Sequence, residues 1–212
     1  MEDAKVQKIE SILEVLSAQH PTAGTELQFE GAFQLLVATV LSVQSNDKKV
    51  NQVTRVLFRI CPTSHLLQTV NTRELEKIIR PVGLHKTKAR ELTGIAQVLE
   101  EKYDGLVPDK MEELLRLPGV GRKTANVVLG HGFGLPALPV DRHVLRVCNR
   151  LGVADHSDVK SLELQLSTFI QPTNWLRMSD CLIIHGRRIC KPRPTCEQCG
   201  LAFCCNYFNA RS

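Results

Sequence analysis

The chain has 212 residues, of which 43% are hydrophobic and 23% are charged, and its formal net charge is +5 at pH 7. The apolar fraction allows one large domain or two small ones with a buried core, and the mild basic excess is compatible with a nucleic-acid partner without establishing one. The longest charge-free run near the N-terminus, residues 31–46, carries polar side chains and is too short for a membrane span.

The N-terminal segment has neither the basic region nor the apolar region of a secretory signal. We therefore expect a cytoplasmic protein, whose eight cysteines serve metal binding or core packing and not disulfides. Residues 3–16 carry apolar side chains three or four positions apart, and Pro21 follows them. This pattern predicts an amphipathic helix.

The next two helices are predicted from different patterns. Residues 31–43 are apolar on nearly all sides, which predicts a helix buried in the core. A second helix follows and continues to Ile60, and either Asn46 or Asp47 is its expected N-cap.

A shorter helix and a basic helix come next. Thr72 is the predicted N-cap of the short helix, which ends before Gly83. Leu84 lies at the tip of the following turn, and an exposed leucine there is unremarkable by itself. Three cations then either contact phosphates or form a solvated helix face: Lys86, Lys88 and Arg90.

Residues 117–141, LPGVGRKTANVVLGHGFGLPALPVD, contain the most informative turn of the chain. Pro118, Gly119 and Gly121 separate two apolar segments, which predicts two helices joined by a hairpin. Both glycines are free to adopt positive φ and let a DNA phosphate approach the N–H groups at the helix start, although a plain tight turn is an equal alternative. A nucleotide-binding P-loop is rejected, because Arg122 separates the glycine from the lysine and helix formers precede it.

The remaining elements are also predicted as helices. They cover residues 141–151, residues 157–170 with Ser157 as the N-cap, and residues 175–185. No segment shows sustained period-two alternation, so the fold class is predicted to be all-α.

The segments LPGVGRKTANVV and VDRHVLRVCNRLG together resemble the helix-hairpin-helix DNA glycosylases, and most closely the endonuclease III family with an iron–sulfur cluster. The resemblance implies two helical domains flanking a DNA-binding cleft. A six-helix domain of residues 25–135 would hold the hairpin, and residues 1–24 with 136–212 would form the cluster domain. The implied function is base excision repair: a bifunctional DNA glycosylase and AP (abasic-site) lyase that removes oxidised pyrimidines from duplex DNA through a Schiff base and β-elimination.

The family's catalytic lysine and aspartate fall on Lys123 and Asp141. Only a neutral amine attacks carbon, and we expect the helix N-terminus and burial to favour that form of the lysine. By the residues alone, Lys123 is equally a phosphate-binding cation and Asp141 a helix N-cap. Two other functions remain open: a mismatch uracil or thymine glycosylase of the same fold, and a non-catalytic iron–sulfur DNA-binding protein.

The resemblance also implies the residues that bind duplex DNA carrying a damaged base or an abasic site. Gln44 would fill the gap left by the extruded nucleotide, and Leu84 would wedge into the base stack. We expect a monomer that works at the nucleoid of a bacterium or archaeon. The full set of implied DNA-binding residues is Gln44, Leu84, Gly119, Val120, Gly121, Arg122, His143, Lys191 and Arg193.

Five of the eight cysteines fall in the last 23 residues. A four-thiolate zinc site usually has two Cys-x-x-Cys pairs, and only one is present, Cys196 with Cys199. Thiolates alone also suit a [4Fe–4S] cluster. The resemblance implies the cluster, and it makes Cys204 a spare and the first gap one residue shorter than is common in the family. The implied ligands are Cys190, Cys196, Cys199 and Cys205.

Overall fold

The computed structural model describes residues 2–210, with side chains from residue 4 onward. Residues 1, 211 and 212, which the sequence assigns to the cluster domain, lie outside the described residues. Within residues 2–210 every regular element is helical, so the all-α prediction is confirmed. The α-helices are α1 Glu2–Gln19, α2 Gly31–Ser42, α3 Asp47–Ile60, α4 Ser64–Thr69, α5 Thr72–Ile78, α6 His85–Tyr103, α7 Met111–Leu114, α8 Arg122–Val127, α9 Arg142–Leu151, α10 Val159–Phe169, α11 Trp175–Arg188 and α12 Asn206–Asn209.

Four shorter helical segments complete the description. A π-helix continues α8, and three 3₁₀ turns lie in the C-terminal third of the chain. They are Val128–Gly132, Pro172–Asn174, Cys196–Gln198 and Ala202–Cys204. The chain divides into two compact units, one of residues 26–135 and the other of residues 1–25 with 136–212.

The unit of residues 26–135 is built around α2. Every residue from 34 to 41 is buried, which confirms the prediction of a core helix. The π-helix packs on α2, and a Cβ added at Gly132 would lie 3.5 Å from the Cβ of Ala32. The two helices therefore pack closely at Gly132, where a Cβ would be in ordinary van der Waals contact with Ala32.

Helix caps in this unit differ from the sequence prediction in one place. Asn46 is the N-cap of α3, and its side chain accepts from the N–H of Lys49 at 2.8 Å. Asn71, not Thr72, is the N-cap of α5, because its side chain accepts from the N–H of Arg73 at 2.9 Å. The sequence prediction also missed α4, which Thr63 caps.

The other unit packs α1, α9, α10, α11 and α12 around one apolar core. In α1, Ile9, Ile12 and Leu16 face this core. Asp158, not Ser157, is the N-cap of α10, since its carboxylate accepts from the N–H groups of the first helical turn at 2.9 and 3.0 Å.

Three cysteines outside the C-terminal group are buried and pack as small hydrophobic residues. Burial raises the pKa of the thiols of Cys61 and Cys181, and it raises the pKa of Cys148 to about 12. None of the described helices is both long enough and apolar enough to cross a lipid bilayer.

Candidate functional site

The hairpin is a tight turn between α7 and α8, fixed by buried apolar residues. Leu117 and Val120 are buried, and the N–H of Val120 donates to the carbonyl of Leu117 at 3.2 Å. Gly119 has φ +71°, and a Cβ there would lie 2.6 Å from Cδ of Glu91. The positive φ of Gly119 is what requires a glycine, because the flexible side chain of Glu91 can move away from an added Cβ. Val120, which the sequence places among the DNA-binding residues, is buried, and its packing stabilises the turn.

Gly121 differs from Gly119. It is the N-cap of α8 with φ −96°, so the expectation that it uses positive φ was wrong. No heavy atom lies within 4 Å of the position that a Cβ would take. The backbone at Gly121 is thus open on this side, which leaves room for close approach of a ligand.

Lys123 is the second residue of α8, and both it and Arg122 are exposed. The following residue, Thr124, is buried, so the helix faces the core directly after the two cations. The burial expected around the Lys123 amine is not found in this structure. Of the two features expected around Lys123, burial and the start of a helix, only the start of the helix is present.

Asp141 is the N-cap of α9. Its Oδ1 atom accepts from the N–H of His143 at 2.8 Å and from the N–H of Val144 at 3.1 Å. The carboxylate is half-buried, and these two bonds fix its orientation. Asp141 is therefore the N-cap of α9, and a catalytic role is additional to these contacts.

His143 is held next to Asp141 in a neutral form. Burial is the main cause that lowers its pKa, and the nearby guanidinium groups of Arg146 and Arg187 lower it further, against the opposing effect of Asp141. Arg146 donates from Nη2 to Nδ1 of His143 at 3.2 Å. Because guanidinium only donates, Nδ1 must be the acceptor, and the ring proton belongs on Nε2.

Gln44 and Leu84 share an unusual backbone conformation. Their φ angles are 54° and 58°, and Asp104 is the third non-glycine residue of the described chain with positive φ. Both side chains are exposed, Leu84 by 52%. A left-handed conformation is costly for residues with a Cβ, and it persists only where the surroundings enforce it.

Lys88 occupies a different place from the one predicted. It is 2% exposed, so it belongs neither to a solvated helix face nor to a phosphate-contacting surface. Its Nζ atom donates to the carbonyls of Leu41 and Val43 at 2.8 and 2.5 Å and approaches Oγ of Ser45 at 3.3 Å. Burial lowers its pKa, and Glu91 acts in the opposite direction.

Four of the five C-terminal cysteines line one cavity. They are the four implied ligands Cys190, Cys196, Cys199 and Cys205, and the rest of the lining is mostly apolar. Cys204 does not line this cavity, and its thiol donates to the carbonyl of Leu201 at 3.5 Å.

The four thiols at this cavity are the kind of ligand that a [4Fe–4S] cluster takes. Within the described residues, no three side chains from His, Cys, Asp and Glu converge closely enough to hold one metal ion. A [4Fe–4S] cluster binds each thiolate to a different iron atom, so it needs four sulfur atoms spread around a cavity. The donor set of the cavity therefore fits a [4Fe–4S] cluster.

Two histidines and an arginine at this cavity were missed from the sequence. His185 is 1% exposed, and it contacts Nε2 of His20 at 3.1 Å and Sγ of Cys199 at 3.5 Å. Burial lowers the pKa of His185 to about 4, so the imidazole is neutral. Arg150 donates to Sγ of Cys190 at 3.4 Å. No spacing rule in the sequence connects these residues to the cysteines.

Lys191 and Arg193 are exposed in the loop between Cys190 and Cys196. The carbonyl of Lys191 accepts from Arg150 at 2.6 Å, so the backbone of the shortened loop is tied to α9. Both cations are free to extend into solvent from a held backbone.

The chain is similar to known proteins over nearly its whole length. Residues 37–172 match the HhH-GPD superfamily base excision DNA repair protein family. Endonuclease III of Synechocystis sp. is 42% identical over 204 residues, covering 95% of this chain and 93% of that protein. A solved structure of a trapped endonuclease III–DNA covalent intermediate has a TM-score of 0.93 and 41% identity, covering 97% of this chain and 98% of that chain. The structure of a thermostable thymine-DNA glycosylase, at 24% identity, covers 96% of this chain and 98% of that chain with a TM-score of 0.88, a likeness of fold alone.

Proposed function

We propose a function for this chain on the premise that it belongs to the HhH-GPD superfamily of base excision DNA repair proteins. Like the endonuclease III relatives that it matches over nearly its whole length, it is a DNA glycosylase and AP lyase. Its proposed substrates are oxidised pyrimidines in duplex DNA. The observation that carries the proposal is Lys123, an exposed amine in the first turn of α8 directly after the hairpin.

The reaction begins with the extrusion of the damaged nucleotide. Unstacking a base from the duplex costs about a few kcal/mol, and the protein must supply contacts that replace the lost stacking. Leu84 is exposed and apolar, and Gln44 carries an amide that both donates and accepts. We assign Leu84 to the base stack and Gln44 to the gap left by the extruded nucleotide.

Lys123 then acts as the nucleophile. Its amine forms a bond to the sugar C1′ while the bond from C1′ to the base breaks and its electron pair leaves with the base. Ring opening gives a protonated imine between Nζ and C1′, and loss of a proton from C2′ expels the 3′ phosphate by β-elimination. Water finally hydrolyses the imine. Lys123 is exposed in the structure, so its amine is accessible to the sugar of an extruded nucleotide.

Asp141 supports the departure of the base. Its carboxylate orientation is fixed by two backbone N–H groups, so little reorganisation is needed when positive charge develops on the sugar. It also exchanges protons with the attacking amine. The neutral His143 beside it presents Nε2–H as a donor for a phosphate oxygen.

The hairpin and the cysteine loop bind the DNA backbone. The open backbone at Gly121 and the start of α8 face a phosphate, with Arg122 adding charge, while Gly119 and Val120 shape the turn. Lys191 and Arg193 bind further phosphates from the cysteine loop. Affinity should therefore fall steeply as salt is raised.

Cys190, Cys196, Cys199 and Cys205 would hold the [4Fe–4S] cluster. When bound, the cluster supplies four iron–sulfur bonds that tie the end of α11 to the loop of residues 190–205. This bonding keeps the loop and its cations in place for DNA. We also propose that the protein works as a monomer in the cytoplasm, at the nucleoid.

Trapping with borohydride tests the enzymatic assignment, because the reagent reduces an imine to a stable amine. The wild-type protein should give a covalent adduct with a duplex that carries an abasic site, and Lys123→Gln should give none. Lys102→Gln, the same change at an exposed lysine of α6, should keep the adduct. Strand cleavage retained by Lys123→Gln would show that another residue is the nucleophile. If the wild-type protein forms no adduct, the protein binds DNA without catalysing the reaction.

A further inference from the structure

Lys88 is a buried cation for which the reaction above has no direct use. Its three ammonium hydrogens match three oxygen acceptors, the carbonyls of Leu41 and Val43 and the hydroxyl of Ser45. None of these acceptors carries a negative charge. Burying an ammonium group without a counter-charge costs free energy even when its hydrogen bonds are satisfied. Lys88 therefore needs a structural or functional explanation.

The acceptors of Lys88 all belong to the segment that carries Gln44. Leu41 lies in the last turn of α2, where helix carbonyls lack partners within the helix. A cation there both satisfies such a carbonyl and is favoured by the helix dipole. Lys88 therefore fixes the end of α2 and the turn on either side of Gln44.

The same lysine stands one turn after Leu84 in the chain. The N–H of Gly83 donates to Oγ of Ser45 at 3.1 Å, and a Cβ at Gly83 would lie 3.3 Å from the carbonyl oxygen of Gln44. Ser45 is thus contacted by both Gly83 and Lys88. The turn of Gln44 and the turn of Leu84 are held against each other by these few bonds.

This bonding accounts for the strained backbone of both exposed residues. Gln44 and Leu84 each keep a left-handed conformation at the tip of a turn. Both side chains are exposed, Leu84 by 52%. The surroundings that enforce the conformation are the hydrogen bonds of Lys88 and Ser45.

We propose that Lys88 is a positioning residue that holds Gln44 and Leu84, the wedge residues, as one preformed unit for insertion into duplex DNA. This inference rests on the proposed function, in which the wedge residues enter the duplex. Lys88 does not touch DNA or the reacting atoms. It acts by keeping two adjacent turns in the conformation that insertion requires, so that the ordering is complete before DNA binds.

The test compares two substrates that need the same chemistry but different amounts of unstacking. An abasic site in duplex DNA requires the wedge residues, whereas an abasic site in single-stranded DNA has no base pair to open. Lys88→Met keeps the length of the side chain and removes its hydrogen bonds. We expect kcat/KM on the duplex to fall about tenfold to a hundredfold, with cleavage of the single strand unchanged. Lys102→Met, at an exposed position of α6, should change neither.

A second variant and a fluorescence signal separate positioning from folding. Ser45→Ala removes the acceptor shared by Lys88 and Gly83 and should shift the duplex-to-single-strand ratio in the same direction by a smaller factor. A 2-aminopurine base placed next to the abasic site should brighten on binding of the wild-type protein, because it loses its stacking. That increase should be lost in Lys88→Met although the variant still binds DNA.

Two results would overturn the inference: equal losses on both substrates in Lys88→Met and Ser45→Ala, or no loss on the duplex in either variant. Should Lys88→Met fail to fold, the Ser45→Ala ratio decides alone. Failure of the proposed function looks different, because the wild-type protein would then cleave neither substrate and trap no adduct.

Discussion

Arg150 donates from Nη1 to the Sγ atom of Cys190 at 3.4 Å and from the same guanidinium to the carbonyls of Lys191 and Pro192 at 2.6 and 3.0 Å. The guanidinium also lies over the ring of Tyr207, 4.4 Å from its centre. One side chain of α9 therefore contacts both a proposed cluster ligand and the backbone of the shortened loop.

Arg150→Leu should loosen this loop. We expect the free energy of unfolding to fall by about 1–2 kcal/mol, since hydrogen bonds from a charged group are lost, and iron to be released faster to a chelator. Arg150→Lys keeps the charge without the planar set of donors and should be intermediate. Iron-release kinetics and urea denaturation measure both effects. Wild-type kinetics in Arg150→Leu would contradict the role of Arg150.

Exchange of single thiols should distinguish the cavity cysteines from their neighbour. Cys205→Ser should abolish incorporation of iron, because Cys205 lines the cavity. Cys204→Ser should keep about the wild-type iron content, because Cys204 lies outside the lining. Iron and sulfide analysis of the purified variants checks the prediction. A colourless wild-type protein with stoichiometric zinc would overturn the cluster itself.

Asp141 allows its structural and chemical roles to be separated. Asp141→Asn retains a side-chain oxygen for the N–H groups of His143 and Val144, so stability should be nearly unchanged while base release slows strongly. Asp141→Ala should lose the cap as well, at about 0.5–2 kcal/mol. Thermal denaturation and single-turnover glycosylase assays measure the two quantities. If the wild type and Asp141→Asn release the base at the same rate, the role of Asp141 is limited to capping α9.

The two hairpin glycines should respond differently to alanine. Gly119→Ala places a Cβ on a residue with positive φ, so it should lower the free energy of unfolding by about 1–3 kcal/mol. Gly121→Ala meets no atom within 4 Å and has an ordinary φ, so stability should stay within about 0.5 kcal/mol.

For affinity to DNA, we expect the larger effect from Gly121→Ala. The added methyl group of Gly121→Ala stands on the open side of the hairpin and should weaken binding to duplex DNA, which fluorescence anisotropy at several salt concentrations measures. If Gly121→Ala binds like the wild type, the phosphate does not approach the backbone at that residue.

Sequence patterns predicted the helices well where a run of apolar residues had to be buried. Residues 31–43 are apolar on nearly all sides, and α2 is a core helix as expected. The errors in caps have a simple cause. At residues 71–72 and at residues 157–158 two good capping residues stand side by side, and only the backbone geometry selects which one accepts the helix N–H groups.

Lys88 shows why the rest of the site could not be predicted. A lysine in a basic helix is assigned to the surface by its side-chain chemistry, because isolated ammonium groups are rarely buried. Its burial depends on three acceptors contributed by residues more than forty positions earlier in the chain. The same limit applies to His20, which reaches His185 only after α1 and α11 have packed.

Helix α6 has a wider consequence for how damage is located. Lys88, in its first turn, holds the wedge residues, and Glu91, one turn later, lies against Gly119 of the hairpin. A single helix thus connects the wedge residues to the hairpin that is proposed to bind a phosphate. We therefore expect the inserted wedge residues to lie at a fixed distance from any phosphate that the hairpin binds.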